Sequence, residues 1–199
     1  MDGFMFFWFS WATWIYSTFI LSTKNQYRFI TAFSILLVII LSIHTISIYH
    51  YEISLAAIYI LLISFIYFRK LEFLQLLYVL IRVMILCISG ATFYIMSIYD
   101  PVWLIFDVHW IQAILFTFLS VLLFERFLDR MVSLLMSLIY ADMIFSFVLN
   151  GMGINHTIGA LQFMDGLCVT ILTLTIWYTV ELIQNTYMKQ QQVEREKQI

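Results

Sequence analysis

The feature that most constrains this chain is a succession of long apolar segments that are separated only by short polar connections. Charged residues make up 11% of the chain, whereas a soluble domain carries about 25%. The apolar segments are continuous and lack the alternation of a transmembrane β-strand, which excludes a barrel. The chain therefore predicts a bundle of membrane-spanning helices.

Chain length limits how many helices this bundle contains. A spanning helix needs about 20 apolar residues, so 199 residues accommodate roughly seven spans and no soluble domain. We predict spans at residues 4–22, 29–48, 53–68, 73–98, 102–124, 131–149 and 158–180. In this all-α fold, a seven-helix transmembrane domain covers residues 1–180 and a short polar cytoplasmic tail covers residues 181–199.

Basic residues between the spans predict the orientation. Those that lie outside the predicted spans are Lys24, Arg28, Arg69, Lys70, Arg126, Arg130, Lys189, Arg195 and Lys197. All of them fall in the first, third and fifth connections or in the tail, which lie on one side of a seven-span bundle. The positive-inside rule assigns that side to the cytoplasm, so the N-terminus is predicted to lie outside. Dropping or merging one span would put basic connections on both sides.

Three ionisable residues lie deep inside predicted spans: Arg82, Asp142 and Asp165. A charge at the centre of a spanning helix costs about 2.5–3.5 kcal/mol on insertion scales, so such residues normally face the bundle interior and find partners. At a rise of about 1.5 Å per residue, all three lie roughly 13–20 Å above the inner boundary. We predict that they form a midplane cluster. Two roles are open: an ion pair or triad that fixes helix register, or a proton, ion or substrate relay.

Helical angles predict which faces point inward. At about 100° per residue, one stripe of span four carries Gln75, Tyr78, Arg82, Ser89 and Phe93. A stripe of small and hydroxyl residues on span seven includes Gly166 and Thr170, and such stripes let helices approach closely. We therefore predict that span seven is central in the bundle.

His44, Asp107 and His109 form a second, lower-ranked group of candidate site residues near the outer ends of spans two and five. Histidine titrates near neutrality, so an outer pH sensor is one interpretation, and ordinary interface histidines are the favoured one. The sequence contains no His-x-x-x-His, Cys-x-x-Cys-His or Glu-x-x-His spacing. Neither a metal nor another cofactor is therefore predicted.

The opening residues, MDGFMFFWFSW, and the chain-long series of short-looped spans resemble the YphA-type family of small uncharacterised integral membrane proteins of Bacillus-like bacteria. The resemblance covers the whole chain. It implies a multi-pass protein of the bacterial plasma membrane and an envelope or sporulation context. It carries no catalytic or binding residue over to this sequence.

Three classes of function fit these observations. The first is a non-enzymatic envelope or assembly factor that packs against another membrane protein or a second copy of this chain. The alternatives are a small transporter that uses Arg82, Asp142 and Asp165, and a sensor that signals through residues 181–199. An enzyme is disfavoured because no hydrolase or metal motif is present. The predicted environment is the lipid bilayer, and a net charge of −2 gives no sign of nucleic-acid binding.

Overall fold

The computed structural model describes residues 2–22, 27–48, 51–69, 71–104 and 106–196. Within these residues, each predicted span overlaps one α-helix. The helices are α1 Phe4–Ile15, α2 Tyr27–Leu41, α3 Leu55–Phe68, α4 Phe73–Tyr99, α5 Val108–Leu123, α6 Phe127–Gly151 and α7 Leu161–Glu196. A π-helical turn, Tyr16–Ile20, continues α1, and a 3₁₀ turn, Pro101–Trp103, precedes α5. The basic residues Lys24, Lys70 and Lys197 lie outside the described residues.

The connection between α2 and α3 is a β-hairpin. Residues predicted to complete the second span form strand β1, Thr45–Ile48, which pairs antiparallel with β2, Tyr51–Ser54. On the other edge of β2, Ile158 donates its N–H to the Glu52 carbonyl and accepts the N–H of Ser54. The prediction of an all-α fold is wrong at this hairpin. β-branched residues favour extended backbone, and a short apolar run has the same composition in a strand as in a helix.

Helix length separates two groups of helices. By length and composition, α4, α6 and α7 as far as Gln191 are able to cross a membrane. The apolar helices α2, α3 and α5 are shorter, at 10–17 residues. A helix of 15 residues covers about 22 Å, whereas the hydrocarbon core is about 30 Å thick. The fold is that of a helical membrane protein, while seven complete crossings and their orientation stay predictions.

α6 is the centre of the bundle. It packs along α4 and also contacts α3, α5 and α7, and its buried side chains lie on all sides of the helix. A Cβ on Gly90 of α4 would lie 2.7 Å from the Cβ of Ala141, so glycine allows the two backbones to approach. The sequence predicts a central span seven, whereas the structure buries α7 mainly between residues 163 and 174.

Candidate functional site

Asp165 of α7 is 6% exposed and contacts the start of α1. Its Oδ2 accepts the N–H of Gly3 and its Oδ1 accepts the N–H of Phe6, each at 2.7 Å. An α-helix leaves its first N–H groups without partners, and the side chain of the preceding residue normally caps them. Gly3 occupies that position without a side chain, so Asp165 caps α1 from another helix. Its negative charge also suits the positive end of the helix dipole.

Asp142 of α6 holds the connection between α6 and α7. It is 2% exposed, its Oδ1 lies 2.9 Å from Nε2 of His156, and its Oδ2 accepts the N–H of Gly159 at 2.7 Å. One turn further along α6, Ser146 donates its hydroxyl to the carbonyl of His156. Gly159 has a φ of +72°, and a Cβ there would lie 2.6 Å from that of Ala57, so this turn requires glycine. The carboxylate thus fastens the connection to the bundle.

Arg82 does not join these two carboxylates. It is exposed on α4, its guanidinium carbon lies 5.5 Å from the centre of the Phe124 ring, and it pairs with no acid among the described residues. The predicted midplane cluster of Arg82, Asp142 and Asp165 is therefore wrong as a set of contacts. Backbone N–H groups and a histidine donate hydrogen bonds to the two carboxylates. A buried carboxylate needs hydrogen-bond donors, and these donors do not have to belong to an arginine.

The predicted inward stripe of span four divides into two parts. Phe93 is buried, whereas Gln75, Tyr78 and Arg82 are exposed. Helical angles identify residues that share a stripe, but the packing of α4 on α6 decides which stripe is covered. The buried side of α4 carries Val83, Leu86, Cys87, Gly90 and Ala91.

The second group of predicted site residues does not form one site. His44 is exposed at the end of α2, where its backbone groups bond to Leu41 and Leu55. Asp107 caps α5, because its Oδ1 accepts the N–H of His109 at 2.9 Å. The Nδ1 atom of His109 is buried and has no hydrogen-bond partner among the described residues. The part of the chain that the structure describes contains no group of three or more His, Cys, Asp or Glu able to hold a metal ion.

An ion pair that sequence analysis misses joins α6 to α7. Arg130, 6% exposed, donates from Nη1 to both Glu181 oxygens at 2.9 and 3.1 Å, and from Nε to the Phe124 carbonyl at 2.8 Å. Trp177 donates its Nε1–H to Glu181 at 2.7 Å. Hydropathy assigns Arg130 to a connection and Glu181 to the tail. The i, i+4 spacing of Trp177 and Glu181 was the one local signal.

Four buried side chains of α5 and α6 have unused hydrogen-bonding groups. Gln112 Nε2, Thr117 Oγ1 and Ser120 Oγ on α5, and Ser133 Oγ on α6, are buried and have no partner within the described ranges. A Cβ on Gly166 of α7 would lie 2.8 Å from Oε1 of Gln112, so glycine lets α7 approach this polar side of α5. Buried polar groups usually have partners, so these four side chains are among the exceptions in the described part of the chain.

Two grooves open on the surface of the bundle. One of about 630 Å³ lies between α4 and α5 and includes Asp100. The other, of about 610 Å³, lies along α1 and includes Asp2, Trp8 and Trp11. Each is lined mainly by apolar side chains with one aspartate, and their volumes are within the range of small-molecule sites.

The long apolar helices, with polar contacts enclosed between them, are those of a helical integral membrane protein. The chain matches the YphA-like integral membrane protein family over residues 2–199 and belongs to that family. It is 26% identical over 165 residues to the uncharacterized protein YphA of Bacillus subtilis (strain 168), an alignment that covers 83% of this chain and 81% of that protein. No solved structure matches the chain. The resemblance seen in the sequence is thus confirmed, together with the predicted location in the bacterial plasma membrane.

Proposed function

We propose that this protein is a non-enzymatic assembly or partner-binding factor that binds another membrane protein through the N-terminal half of α4. The supporting observation is the environment of Arg82. This residue is exposed within a helix of membrane-spanning length and pairs with no acid in the described part of the chain. Ionisable residues within spans normally face a partner, and since none is present among the described residues, a partner molecule fits this role.

Arg82 belongs to a polar surface on α4, which we call the α4 polar stripe and define as Gln75, Tyr78 and Arg82. Their spacing of three and four residues puts them on one side of the helix, and Tyr78 is 65% exposed. The contact of Arg82 with Phe124 is a cation–π interaction, which contributes about 0.5–2 kcal/mol. A central charge costs about 2.5–3.5 kcal/mol on insertion, so the contact with Phe124 does not offset it.

A carboxylate on a partner helix fits the α4 polar stripe. A guanidinium group holds a carboxylate through two parallel N–H donors, and Tyr78 and Gln75 offer further polar contacts. A two-fold contact centred on the stripe would bring two Arg82 side chains together, so a second copy of the chain is disfavoured there. The competing source of negative charge is a lipid phosphate, because the side chains of α4 lean toward its N-terminus and long basic side chains extend to the interface.

The buried carboxylates support an architectural role for the polar interior. Asp142 and Asp165 accept hydrogen bonds at both oxygens. The transporter alternative rests on Arg82 facing these residues, a contact that the structure lacks. The sensor alternative has one supporting observation: α7 continues as a helix beyond residue 181, and its side chains at residues 182–191 are exposed. Capture of a cytoplasmic protein by a peptide of residues 181–199 would favour it.

We also infer that the chain crosses the membrane seven times with its N-terminus outside. Asn155 and Arg126 are exposed beyond opposite ends of α6. An impermeant thiol reagent added to intact cells should label Asn155→Cys and leave Arg126→Cys unlabelled, with the wild type as the control for Cys87 and Cys168. Labelling of Arg126→Cys but not of Asn155→Cys would show that the orientation is the opposite of the inferred one.

Site-specific photo-crosslinking tests the partner. A benzophenone amino acid replaces Tyr78 in the α4 polar stripe. The matched control replaces Leu77, which is 47% exposed and lies about 100° away around the same helix. We expect one defined membrane protein to be captured from position 78 and not from position 77. The Arg82→Gln change should abolish this capture.

Charge exchange then identifies the group that Arg82 binds. Arg82→Asp should abolish the complex, and the reciprocal change of an Asp or Glu to Arg in the captured protein should restore it. An adduct of twice the chain mass indicates a second copy. Equal capture from positions 77 and 78, or capture that survives Arg82→Gln, contradicts the proposal. If the only adducts formed are with lipid, the group that Arg82 binds is a lipid phosphate.

A further inference from the structure

The groove between α4 and α5 is a surface separate from the α4 polar stripe. Its volume is about 630 Å³, within the range that accommodates a small ligand. The residues that define it are Ile88, Thr92, Met96, Asp100, Leu115 and Leu119. Three of these residues come from α4 and recur every four positions, and Asp100 follows four positions after the last of them, so the groove runs along the helix to its C-terminal end.

The length of the groove matches one leaflet of a bilayer. Asp100 lies twelve positions after Ile88, which corresponds to about 18 Å at 1.5 Å per residue. One leaflet contributes about half of the roughly 30 Å of hydrocarbon. Ile88 lies near the middle of α4 and Asp100 directly follows its end, so the groove runs from the bilayer interior to the interface.

The polar groups in the groove are distributed unevenly. Thr92 donates its hydroxyl to the Ile88 carbonyl at 2.8 Å, and Ser89 likewise bonds within its own helix. An apolar chain can therefore lie against them without leaving a donor unpaired. At the interfacial end, Oδ1 of Asp100 accepts the N–H of Val102 at 3.2 Å, and Asp100 pairs with no basic residue among the described side chains.

We propose that this groove binds one acyl chain of a lipid whose headgroup carries a protonated amine, and that Asp100 binds the amine. The apolar part of the groove receives the chain, and the carboxylate at its end attracts an ammonium group and repels an anionic headgroup. A preference for amine-headed over anionic lipid is the signature of the site, because lipid that merely surrounds the bundle shows no dependence on Asp100.

Native mass spectrometry of the full-length protein in detergent tests this site. Delipidated protein is titrated with phosphatidylethanolamine or with phosphatidylglycerol of the same acyl chains. We expect the wild type to bind phosphatidylethanolamine about fivefold more tightly, the effect of one exposed ion pair. Asp100→Asn should remove the preference, and Asp100→Lys should invert it in favour of phosphatidylglycerol.

Two tryptophan variants locate the bound chain. Met96→Trp fills the groove and should weaken the binding of both lipids, whereas Met84→Trp, at a position of α4 that is 56% exposed and outside the groove, should not. A reversed preference in Asp100→Lys cannot result from unfolding, which would weaken both lipids alike. Equal affinity of the wild type for the two lipids, or equal effects of the two tryptophan variants, would overturn the proposal.

Discussion

Arg130 and Arg82 both contact Phe124 and have opposite environments. Arg130 is buried, donates to the Phe124 carbonyl and binds Glu181. Arg82 is exposed and lies against the Phe124 ring. The sequence suggests the reverse, because Arg82 lies inside an apolar segment and Arg130 lies in a connection. The comparison teaches that the position of a charge in a hydropathy profile predicts a depth along the membrane normal and does not predict whether the side chain is buried.

The difference also separates two uses of a charge. The Arg130 pair holds three segments of the chain together, since its partners are the end of α5 and a residue of α7. Arg82 has no such internal role in the described residues. Substitution of Arg130 should therefore lower the stability of the protein, whereas substitution of Arg82 should weaken the binding of a partner.

The largest expected effect follows from breaking the Arg130 pair on one side. Arg130→Leu leaves Glu181 without its cation and the Phe124 carbonyl without its donor. We expect the free energy of unfolding to fall by about 3 kcal/mol, the low end of the range for buried pairs, because the Glu181 side chain is 31% exposed. Unfolding in detergent measures the loss. Arg130→Leu combined with Glu181→Leu should recover most of it, and absence of recovery would assign the effect to the Phe124 contact.

The next largest effect is expected at Asp165, a buried carboxylate whose hydrogen-bond partners are backbone N–H groups and not a cation. Asp165→Ala leaves the N–H groups of Gly3 and Phe6 without their acceptor, which should cost about 2–3 kcal/mol. Asp165→Asn keeps one acceptor oxygen and should lose less. Hydrogen exchange of α1 amides should accelerate in Asp165→Ala before the rest of the bundle opens. Unchanged exchange in α1 would mean that the cap does not hold this helix.

A smaller effect is expected where α7 approaches α5. A Cβ on Gly166 would lie 2.8 Å from Oε1 of Gln112, so Gly166→Ala forces a buried side chain to move and should cost about 1–3 kcal/mol. Gly151→Ala is the matched control, because a Cβ there meets nothing within 4 Å. Thermal unfolding in detergent compares the two variants. Equal melting temperatures would show that the packing of α7 on α5 has room for a methyl group at position 166.

The smallest expected effect on stability is that of Arg82. Arg82→Gln removes an exposed charge and one cation–π contact, so the free energy of unfolding in detergent should change by less than about 1 kcal/mol. The same variant should lose the partner captured from position 78. If Arg82→Gln instead unfolds as readily as Arg130→Leu, the contrast between the two arginines fails and Arg82 has an internal role.

Helix positions were predictable because the apolar segments are long. The predicted span at residues 73–98 corresponds to α4, Phe73–Tyr99, and the span at 131–149 lies within α6, Phe127–Gly151. In lipid, a long apolar segment can satisfy its backbone only within a helix. The pairing of β1 with β2 was missed because a short apolar run has the same composition in a strand as in a helix. The added bridge from Ile158 to β2 was not predictable because Ile158 lies more than a hundred residues away in the sequence.

The sequence by itself determined the class of protein and its family, and it predicted a level along the membrane normal for each polar residue. Tertiary structure alone decided which residues meet at a given level. Asp165 binds the N–H groups of Gly3 and Phe6, 162 and 159 residues away. The physical reason is that hydropathy restricts depth, whereas helix rotation and choice of neighbour follow from side-chain packing between distant segments, such as Gly90 against Ala141.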